Sequence, residues 1–247
     1  MSDERIWSVV VARMGSERLR GKSMAELAGQ PAFAHIVERL RRSRHLDGIV
    51  LATTMNPEDD LLRDCAARMG VPCFRGSAED VLGRTLNAAR SVRADIIVDI
   101  TGDCPLVDPT IVDRVIEAFL ADRPDYAANV FPPTYPNGMD VQVYPVSVLA
   151  EVDGLTRDPA DREHGTLYIY EHPDRYRLLN VEAPPHQRWP ELRLTLDTPD
   201  DYAFISAVYA ALAPAKEEFG LDDVLAYLRA HPELLDLNKH VVQKPVR

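Results

Sequence analysis

The stretch VVVARMGSERLRGKS, residues 9–23, passes from an apolar run into a basic loop that contains two glycines. A P-loop places four residues between its first glycine and Gly-Lys-Ser, whereas five residues separate Gly15 from Gly21 here. Gly29 and Pro31 also follow too soon for the long helix that a P-loop requires. We therefore predict a strand that leads into a different kind of phosphate-binding loop. The basic residues of this loop are Arg13, Arg18, Arg20 and Lys22.

Strand-like apolar runs alternate with amphipathic, helix-like segments through the first half of the chain. Strands are predicted at 6–12, 48–54, 71–76 and 94–101, and helices at 33–44, 57–69, 78–91 and 109–121. This alternation predicts an α/β fold with a mostly parallel sheet that is buried on both faces. Active sites of such sheets lie beyond the carboxyl ends of the strands, which is where the basic loop begins.

The composition of the chain changes near residue 130. The stretch VFPPTYPNGMDVQVYP carries four prolines and an Asn-Gly turn, and we interpret residues 130–190 as an insertion or arm on the sheet. The core sheet is expected to resume at 192–196, and the segment after His231 is interpreted as a polar tail. With no internal repeat and no low-complexity linker, a single domain over 1–247 is the simplest partition.

Composition limits the classes of function. The 247 residues carry a net charge of −11, which argues against a general nucleic-acid binder or a protein of anionic membranes. Cys65, Cys73 and Cys104 form no C-x-x-C pair, so a disulfide framework or structural zinc site is not expected. No apolar run is long enough to cross a bilayer, and a cytoplasmic protein is the default expectation.

Two aspartates follow predicted strands in distant parts of the chain. Asp103 ends the strand in VDITGDCPLVDP, and Asp197 ends the strand in LTLDTPDDY. Carboxylates in these places can share one Mg²⁺, although Asp103 can also simply cap a turn. Asp108 precedes Pro109 and is interpreted as a helix N-cap, and Thr198 is a natural capping residue.

Seven segments in fixed order carry a resemblance to a known family. They are ARMGSERLRGK, ATTMNPEDD, FRGSAEDVLGR, ITGDCPLVDP, YPNGMDVQV, REHGTLYIY and LTLDTPDDY. Together they resemble the cytidylyltransferases of spore-coat polysaccharide biosynthesis, relatives of the enzymes that make CMP-KDO and CMP-sialic acid. The resemblance covers most of residues 6–215. It implies a Rossmann-like, three-layer nucleotidyltransferase fold with an extended dimerisation arm, and therefore a homodimer.

The resemblance also implies a reaction and a set of site residues. CMP would pass from CTP to an acidic sugar with release of pyrophosphate, and the catalytic residues would be Arg13, Lys22, Asp103 and Asp197. Asp103 and Asp197 would hold Mg²⁺. The implied nucleotide-binding set is Ala12, Arg13, Met14, Gly15, Arg18, Lys22, Thr53, Arg75, Ser77, Asp80, Thr101 and Asp103. The acceptor side would comprise Asp140, Arg162, Glu163 and His164, of which His164 can equally be a helix-surface residue.

One departure and two alternatives stay open at this stage. Arg20 stands where the relatives usually have proline, so the loop loses a fixed backbone angle and gains a charge. The acceptor can instead be a phosphorylated or phosphonate metabolite, since the motifs on the CTP side would be unchanged. A non-catalytic nucleotide-sugar binding subunit is the alternative from another class. Loss of a metal aspartate or of Lys22 would favour it, and all of these residues are present.

Overall fold

A seven-stranded sheet organises the chain, which the computed structural model describes over residues 4–216 and 218–243. The strands, in chain order, are β1 (Ile6–Val11), β2 (Glu26–Leu27), β3 (Gln30–Pro31), β4 (Gly48–Thr54), β5 (Cys73–Gly76), β6 (Ile96–Thr101), β7 (Tyr126–Ala128), β8 (Gln142–Pro145) and β9 (Leu178–Asn180). The order across the main sheet is β5-β4-β1-β6-β8-β7-β9, and β2 with β3 forms a separate small hairpin.

Nine α-helices connect these strands in the described residues. They are α1 (Ala32–Leu40), α2 (Asp60–Arg68), α3 (Val81–Ser91), α4 (Pro109–Asp122), α5 (Val146–Leu155), α6 (Pro159–Glu163), α7 (Leu167–Glu171), α8 (Pro199–Leu212) and α9 (Leu221–Ala230). Short 3₁₀ helices lie at Lys22–Met24, Pro57–Asp59 and Pro232–Leu237. The four strands and four helices predicted for the first half of the chain are confirmed, with shifts of a few residues at their ends.

The alternating sides of β1 show why the fold has three layers. Val10 faces a core formed with α1, α4, α8 and α9, whereas Val9 faces a second core formed with α3 and α5. Both side chains are fully buried, and each burial stabilises the fold by roughly 1.5–3 kcal/mol. β1 pairs in parallel with β4 and β6, so the carboxyl ends of these central strands meet at one edge of the sheet.

The segment 130–190 contributes directly to this sheet. β8 pairs antiparallel with β6, and β9 pairs in parallel with β7. The expectation of a polar tail after His231 also needs qualification, because Asn238 is buried and donates to Asp201 Oδ1 at 3.0 Å. Both segments are therefore tied to the core over the residues that the structure describes.

The prediction of a strand at 192–196 is wrong. Arg193 forms one isolated bridge with Asn137, and the amide of Leu196 donates to the Asp103 carbonyl at 2.8 Å. The segment thus bonds to two different neighbours in turn, so it forms no continuous ladder with either. It still passes through the core, since Leu194 and Leu196 are fully buried.

Asp108 is confirmed as the N-cap of α4. Its Oδ1 accepts from the Thr110 amide at 2.8 Å, and its Oδ2 accepts from the Leu221 amide at 2.6 Å. The carboxylate therefore joins the starts of α4 and α9, a tie that the sequence pattern did not reveal.

Gly138 packs closely against the backbone of the irregular segment 192–196. Its φ is +103°, and an added Cβ would lie 2.8 Å from the Leu194 carbonyl carbon. We expect Gly138→Ala to lower the free energy of unfolding by roughly 2–4 kcal/mol, because backbone strain and a backbone clash act together.

Gly154→Ala is the matched control, since Gly154 lies in α5 with open space around its Cα. There the change should be within about 1 kcal/mol, in the stabilising direction. Urea unfolding of both variants checks this, and equal midpoints would contradict the packing described for Gly138.

Candidate active site

Two glycines bring the ends of β1 and β6 to the same place. Gly102 donates its amide to the Val11 carbonyl at 2.8 Å, and a Cβ there would lie 2.5 Å from the Ala12 Cβ. Gly21, at a φ of +75°, donates its amide to the Met14 carbonyl at 2.9 Å and turns the basic loop back towards the sheet. Lys22 follows this turn, and its side chain therefore points at the carboxyl end of β6.

Lys22 lies between Asp103 and Asp197. Its Nζ donates to Asp103 Oδ2 at 2.9 Å and to Asp197 Oδ1 at 2.7 Å. The Lys22 and Asp197 side chains are only 15% and 6% exposed, so this pair is well shielded from water. Both aspartates predicted to hold a metal therefore contact one ammonium group, and Asp197 follows an irregular segment and not a strand.

Burial and charge act in opposite directions on this cluster. Burial alone would lower the pKa of Lys22, but the carboxylates of Asp103 and Asp197 outweigh it and raise the pKa above 10.5. Burial alone would raise the pKa of Asp103, but the Lys22 ammonium and the Thr101 hydroxyl lower it to about 2. Lys22 and Asp103 are therefore both charged at neutral pH.

Two arginines complete the surroundings of Asp197. Arg18 Nη2 lies 3.1 Å from Asp197 Oδ2, and Arg193 Nη2 also donates to that oxygen. Arg18 belongs to the basic loop and is 35% exposed at its side chain, whereas Arg193 is buried. Asp197 therefore has a cation on each of its two carboxylate oxygens.

A cavity of about 700 Å³ lies on the α3 and α6 side of the sheet. It gathers five of the predicted site residues, namely Arg13, Ser77, Asp80, Arg162 and Glu163. Asp80 caps α3 through the Gly83 amide and accepts from Arg162 Nη2 at 2.6 Å, while Arg162 Nη1 donates to Asp153 at 2.8 Å. Both ends of the Arg162 guanidinium are thus occupied by carboxylates of the cavity wall. The Arg13 side chain has only the Ala78 carbonyl as a hydrogen-bond partner, at 3.4 Å, among the described residues.

Other predicted nucleotide residues are held by the framework. Ala12 is buried and donates its amide to the Ala52 carbonyl at 3.2 Å, and Gly15 lies against Glu58. Thr53 is fully buried in β4, and its hydroxyl has no partner in the described structure. Arg75 donates to the carbonyls of Thr54 and Asn56 and to Asp60, so its guanidinium braces the β4–α2 connection.

Asp140 and His164 remain from the predicted acceptor side. Asp140 is half-buried, and burial together with the charge of Asp103 raises its pKa to about 6. A hydrogen bond from the Gly138 amide acts in the opposite direction and lowers this pKa. His164 ends α6, where its amide donates to the Ala160 carbonyl at 2.9 Å. Asp140 therefore borders the charged cluster, and the cavity lining does not include His164.

Sequence reasoning missed the residue that anchors the basic loop. Asp59 is buried and accepts from the Met14 amide at 2.6 Å and from the Thr54 amide at 3.1 Å. It thereby joins the loop after β1 to the end of β4. Its neighbours Glu58 and Asp60 are also acidic, so only the three-dimensional placement distinguishes Asp59 from them.

Asp103 and Asp197 offer hard oxygen donors, but the described residues do not form a complete set of metal ligands. Within residues 4–216 and 218–243, no three His, Cys, Asp or Glu side chains converge as metal ligands. Over the same residues, no helix combines the length and apolarity needed to span a membrane.

Comparison with known proteins gives consistent matches along the chain. A family model described as cytidylyltransferase matches residues 8–226. The spore coat polysaccharide biosynthesis protein SpsF of Bacillus subtilis is 33% identical over 230 residues, covering 91% of this chain and 94% of SpsF.

Two solved structures show the same fold. A cytidylyltransferase from Leptospira borgpetersenii superposes with a TM-score of 0.90 at 31% identity, over 97% of this chain and 100% of that chain. A CMP:2-keto-3-deoxy-manno-octonic acid synthetase complexed with CTP gives a TM-score of 0.62 at 19% identity, over 86% and 100% respectively. The second likeness concerns the fold alone.

The ion pair of Lys22 and Asp103 predicts that the free energy of unfolding depends on pH. Because the folded-state pKa of Asp103 is below its ordinary 3.8, its contribution to stability is complete above about pH 4 and is lost as the pH falls towards 2. Lys22→Met should lower the free energy of unfolding by about 3 kcal/mol at pH 7. This deficit should shrink by on the order of 2 kcal/mol at pH 2, where about half of the wild-type Asp103 is already protonated.

Lys216→Met is the control, because Lys216 pairs with Asp223 at an exposed position. It should cost less than about 1 kcal/mol at either pH. Urea unfolding at several pH values measures both variants, and a Lys22→Met deficit that does not vary with pH would contradict the link to Asp103.

Proposed function

The chain belongs to the cytidylyltransferase family, a family of CTP-dependent nucleotidyltransferases, and we propose that it transfers CMP from CTP to an acidic sugar with release of pyrophosphate. The observation that carries this proposal is the meeting of Lys22, Asp103 and Asp197 at the carboxyl edge of the sheet. The name of the relative SpsF supports a role in the synthesis of a surface polysaccharide, for which CTP would be drawn from the cytoplasm.

The proposed chemistry needs positive charge where the phosphates lie. An acceptor oxygen would form a bond to the α-phosphorus while the bond from that phosphorus to the pyrophosphate oxygen breaks. Negative charge then grows on the α-phosphate and on the departing pyrophosphate, where preorganised cations stabilise it most. Arg13, Arg18 and Lys22 would bind these phosphates, since all three belong to the segment that leaves β1 at the active edge.

Asp103 and Asp197 would hold a divalent metal ion, with Mg²⁺ as the expected one. Their carboxylates are hard oxygen donors of the kind that Mg²⁺ selects, and both accept from the Lys22 ammonium, which supports the proposal that they share one cation. When bound, the metal would supply Lewis-acid stabilisation of phosphate charge. The side chain of Lys22 would then be released from the carboxylates towards the phosphates.

The cavity beside Arg13 is the proposed place for the nucleoside and the acceptor. Ser77 and Asp80 line its nucleotide side, and Arg162 and Glu163 line the side assigned to the acceptor. Because the Arg162 charge is balanced by Asp80 and Asp153, we propose that Arg162 shapes the cavity wall and leaves recognition of an acid group to other cations. A phosphonate acceptor remains the second candidate, since the same arginine-containing cavity suits a phosphonate group.

We also propose a homodimer formed through residues 130–190. The proline-rich part of this segment consists of turns and isolated bridges, and Leu155 is 45% exposed near the centre of the segment. Light scattering at micromolar concentration measures the mass, and a fully active monomer would contradict the proposed assembly.

The substrate proposal is tested by pyrophosphate release from CTP with Mg²⁺ and a panel of ulosonic acids, hexuronates and phosphonates. We expect CTP to be turned over at least tenfold faster than ATP, GTP or UTP with the best acceptor. Similar rates with all four nucleotides would contradict a cytidylyltransferase. A phosphonate as the only working acceptor would replace the sugar proposal by the second candidate.

The metal assignment is tested by Asp103→Asn and Asp197→Asn. Each variant should fold, as monitored by circular dichroism, and lose two to three orders of magnitude in kcat, or roughly 3–4 kcal/mol of transition-state stabilisation. The double variant should be little worse than the worse single variant, because residues that serve one metal fail as a unit.

Asp200→Asn is the matched control. Asp200 lies three residues after Asp197, is 53% exposed at its side chain and pairs only with His240 among the described residues. Its substitution should change kcat less than about twofold. Near-normal turnover of Asp197→Asn would show that the metal ligands have been assigned wrongly. Asp108→Asn is unsuitable as a control, because both Asp108 oxygens accept backbone amides.

A further inference from the structure

Arg193 is a buried cation that joins two carboxylates behind the active site. It is 6% exposed, and its Nε donates to Asp201 Oδ1 at 2.9 Å while its Nη2 donates to Asp197 Oδ2. Arg193 lies on the far side of Asp197 from Lys22, which contacts the other carboxylate oxygen. A guanidinium so enclosed cannot also bind a substrate, so its effect on the reaction must pass through Asp197.

Asp201 fixes the backbone of the same residue. Its Oδ2 accepts from the amides of Asp197 at 3.1 Å and Thr198 at 3.0 Å, as part of the capping box that begins α8. Asp201 therefore contacts Asp197 in two ways. It accepts from the Asp197 amide directly, and it pairs with Arg193, which in turn donates to the Asp197 carboxylate. Burial opposes the charge of Asp201, but the hydrogen bonds from Arg193 and Asn238 lower its pKa below the ordinary value.

The C-terminal segment contributes two further residues, Asn238 and Gln243, to this hydrogen-bond network. Asn238 is 3% exposed, and its Nδ2 donates to Asp201 Oδ1 at 3.0 Å and to the Arg193 carbonyl at 3.2 Å. Gln243 Oε1 accepts from Arg193 Nη1 and from Asn137 Nδ2. The Arg193 side chain thus donates from Nε and Nη2 to the start of α8 and from Nη1 to the C-terminal segment, so its guanidinium is held from two sides.

We propose that Arg193 is a positioning residue that orients the Asp197 carboxylate for the metal, and that the C-terminal segment, through Asn238, holds Arg193 in place. The inference rests on the proposed function for the role of Asp197. Side chains behind a metal ligand commonly change metal affinity by 10–100-fold when they are removed. Arg193 differs from Arg18 in this respect, because Arg18 is partly exposed and free to turn towards phosphate.

The test measures binding of Mn²⁺ to the full chain, followed by the electron paramagnetic resonance signal of free Mn²⁺, without CTP or acceptor. Arg193→Met should weaken Mn²⁺ binding by about 10–100-fold, and Arg193→Lys should recover part of the loss because it keeps the charge. In turnover assays, the Mg²⁺ concentration for half-maximal rate should rise while KM for CTP changes less than about threefold. Arg188→Met is the control, since Arg188 forms an exposed pair with Glu182.

Asn238→Ala decides the question if Arg193→Met does not fold, because it removes hydrogen bonds and leaves both ion pairs of Arg193 in place. It should weaken Mn²⁺ binding by about 3–10-fold. Wild-type Mn²⁺ affinity in a folded Arg193→Met variant, or in Asn238→Ala where the former is unfolded, would overturn the positioning role. Since this binding is read without turnover, failure of CMP transfer by the wild-type protein contradicts the proposed function alone.

Discussion

The contact of one ammonium group with two carboxylates is the constraint on which the active edge depends. Lys22 comes from the loop after β1, Asp103 from the end of β6, and Asp197 from an irregular segment that crosses the core. Asp197 is buried, and Lys22 and Asp103 are largely shielded from water, so an unpaired charge among them would be costly and the three segments must arrive together. The glycine positions at these segments allow the close approach that this pairing needs.

The arrangement also explains how a negatively charged protein can act on a nucleoside triphosphate. The net charge is −11, but Arg13, Arg18, Arg20 and Lys22 concentrate positive charge in one loop at the edge of the sheet. Asp59 anchors this loop by accepting from the Met14 amide. On the exposed side of the loop, Arg20 pairs with Glu58 at 2.9 Å. In place of the proline expected from the resemblance, the loop therefore has an ion pair to the 3₁₀ helix that precedes α2. Such an exposed pair contributes at most about 1 kcal/mol, so it restrains the loop weakly.

The fold was predictable from the sequence where the pattern was local. The apolar runs of β1, β4 and β6 and the Asp108-Pro109 cap each carry their signal within a few residues. The segment 192–196 has the same apolar texture as a strand, but its partners are Asn137 and Asp103, and no local pattern reports a change of partner. Similarly, Arg193, Asp201 and Asn238 act together although their roles cannot be read from spacing. The meeting of Asp103 and Asp197 was expected from the parallel-sheet rule, but that rule applies only to Asp103, since Asp197 follows the irregular segment 192–196.

The central proposal is that Asp103 and Asp197 together would bind the catalytic metal beside the phosphates of CTP. A crystal structure of the protein with CTP and Mn²⁺ tests it most directly, because anomalous scattering locates Mn²⁺ independently of the surrounding model. We expect one anomalous peak bonded to a carboxylate oxygen of each aspartate and to a phosphate oxygen, with the Lys22 ammonium moved to the triphosphate. A peak that contacts neither aspartate, with Lys22 still between them, would contradict the account.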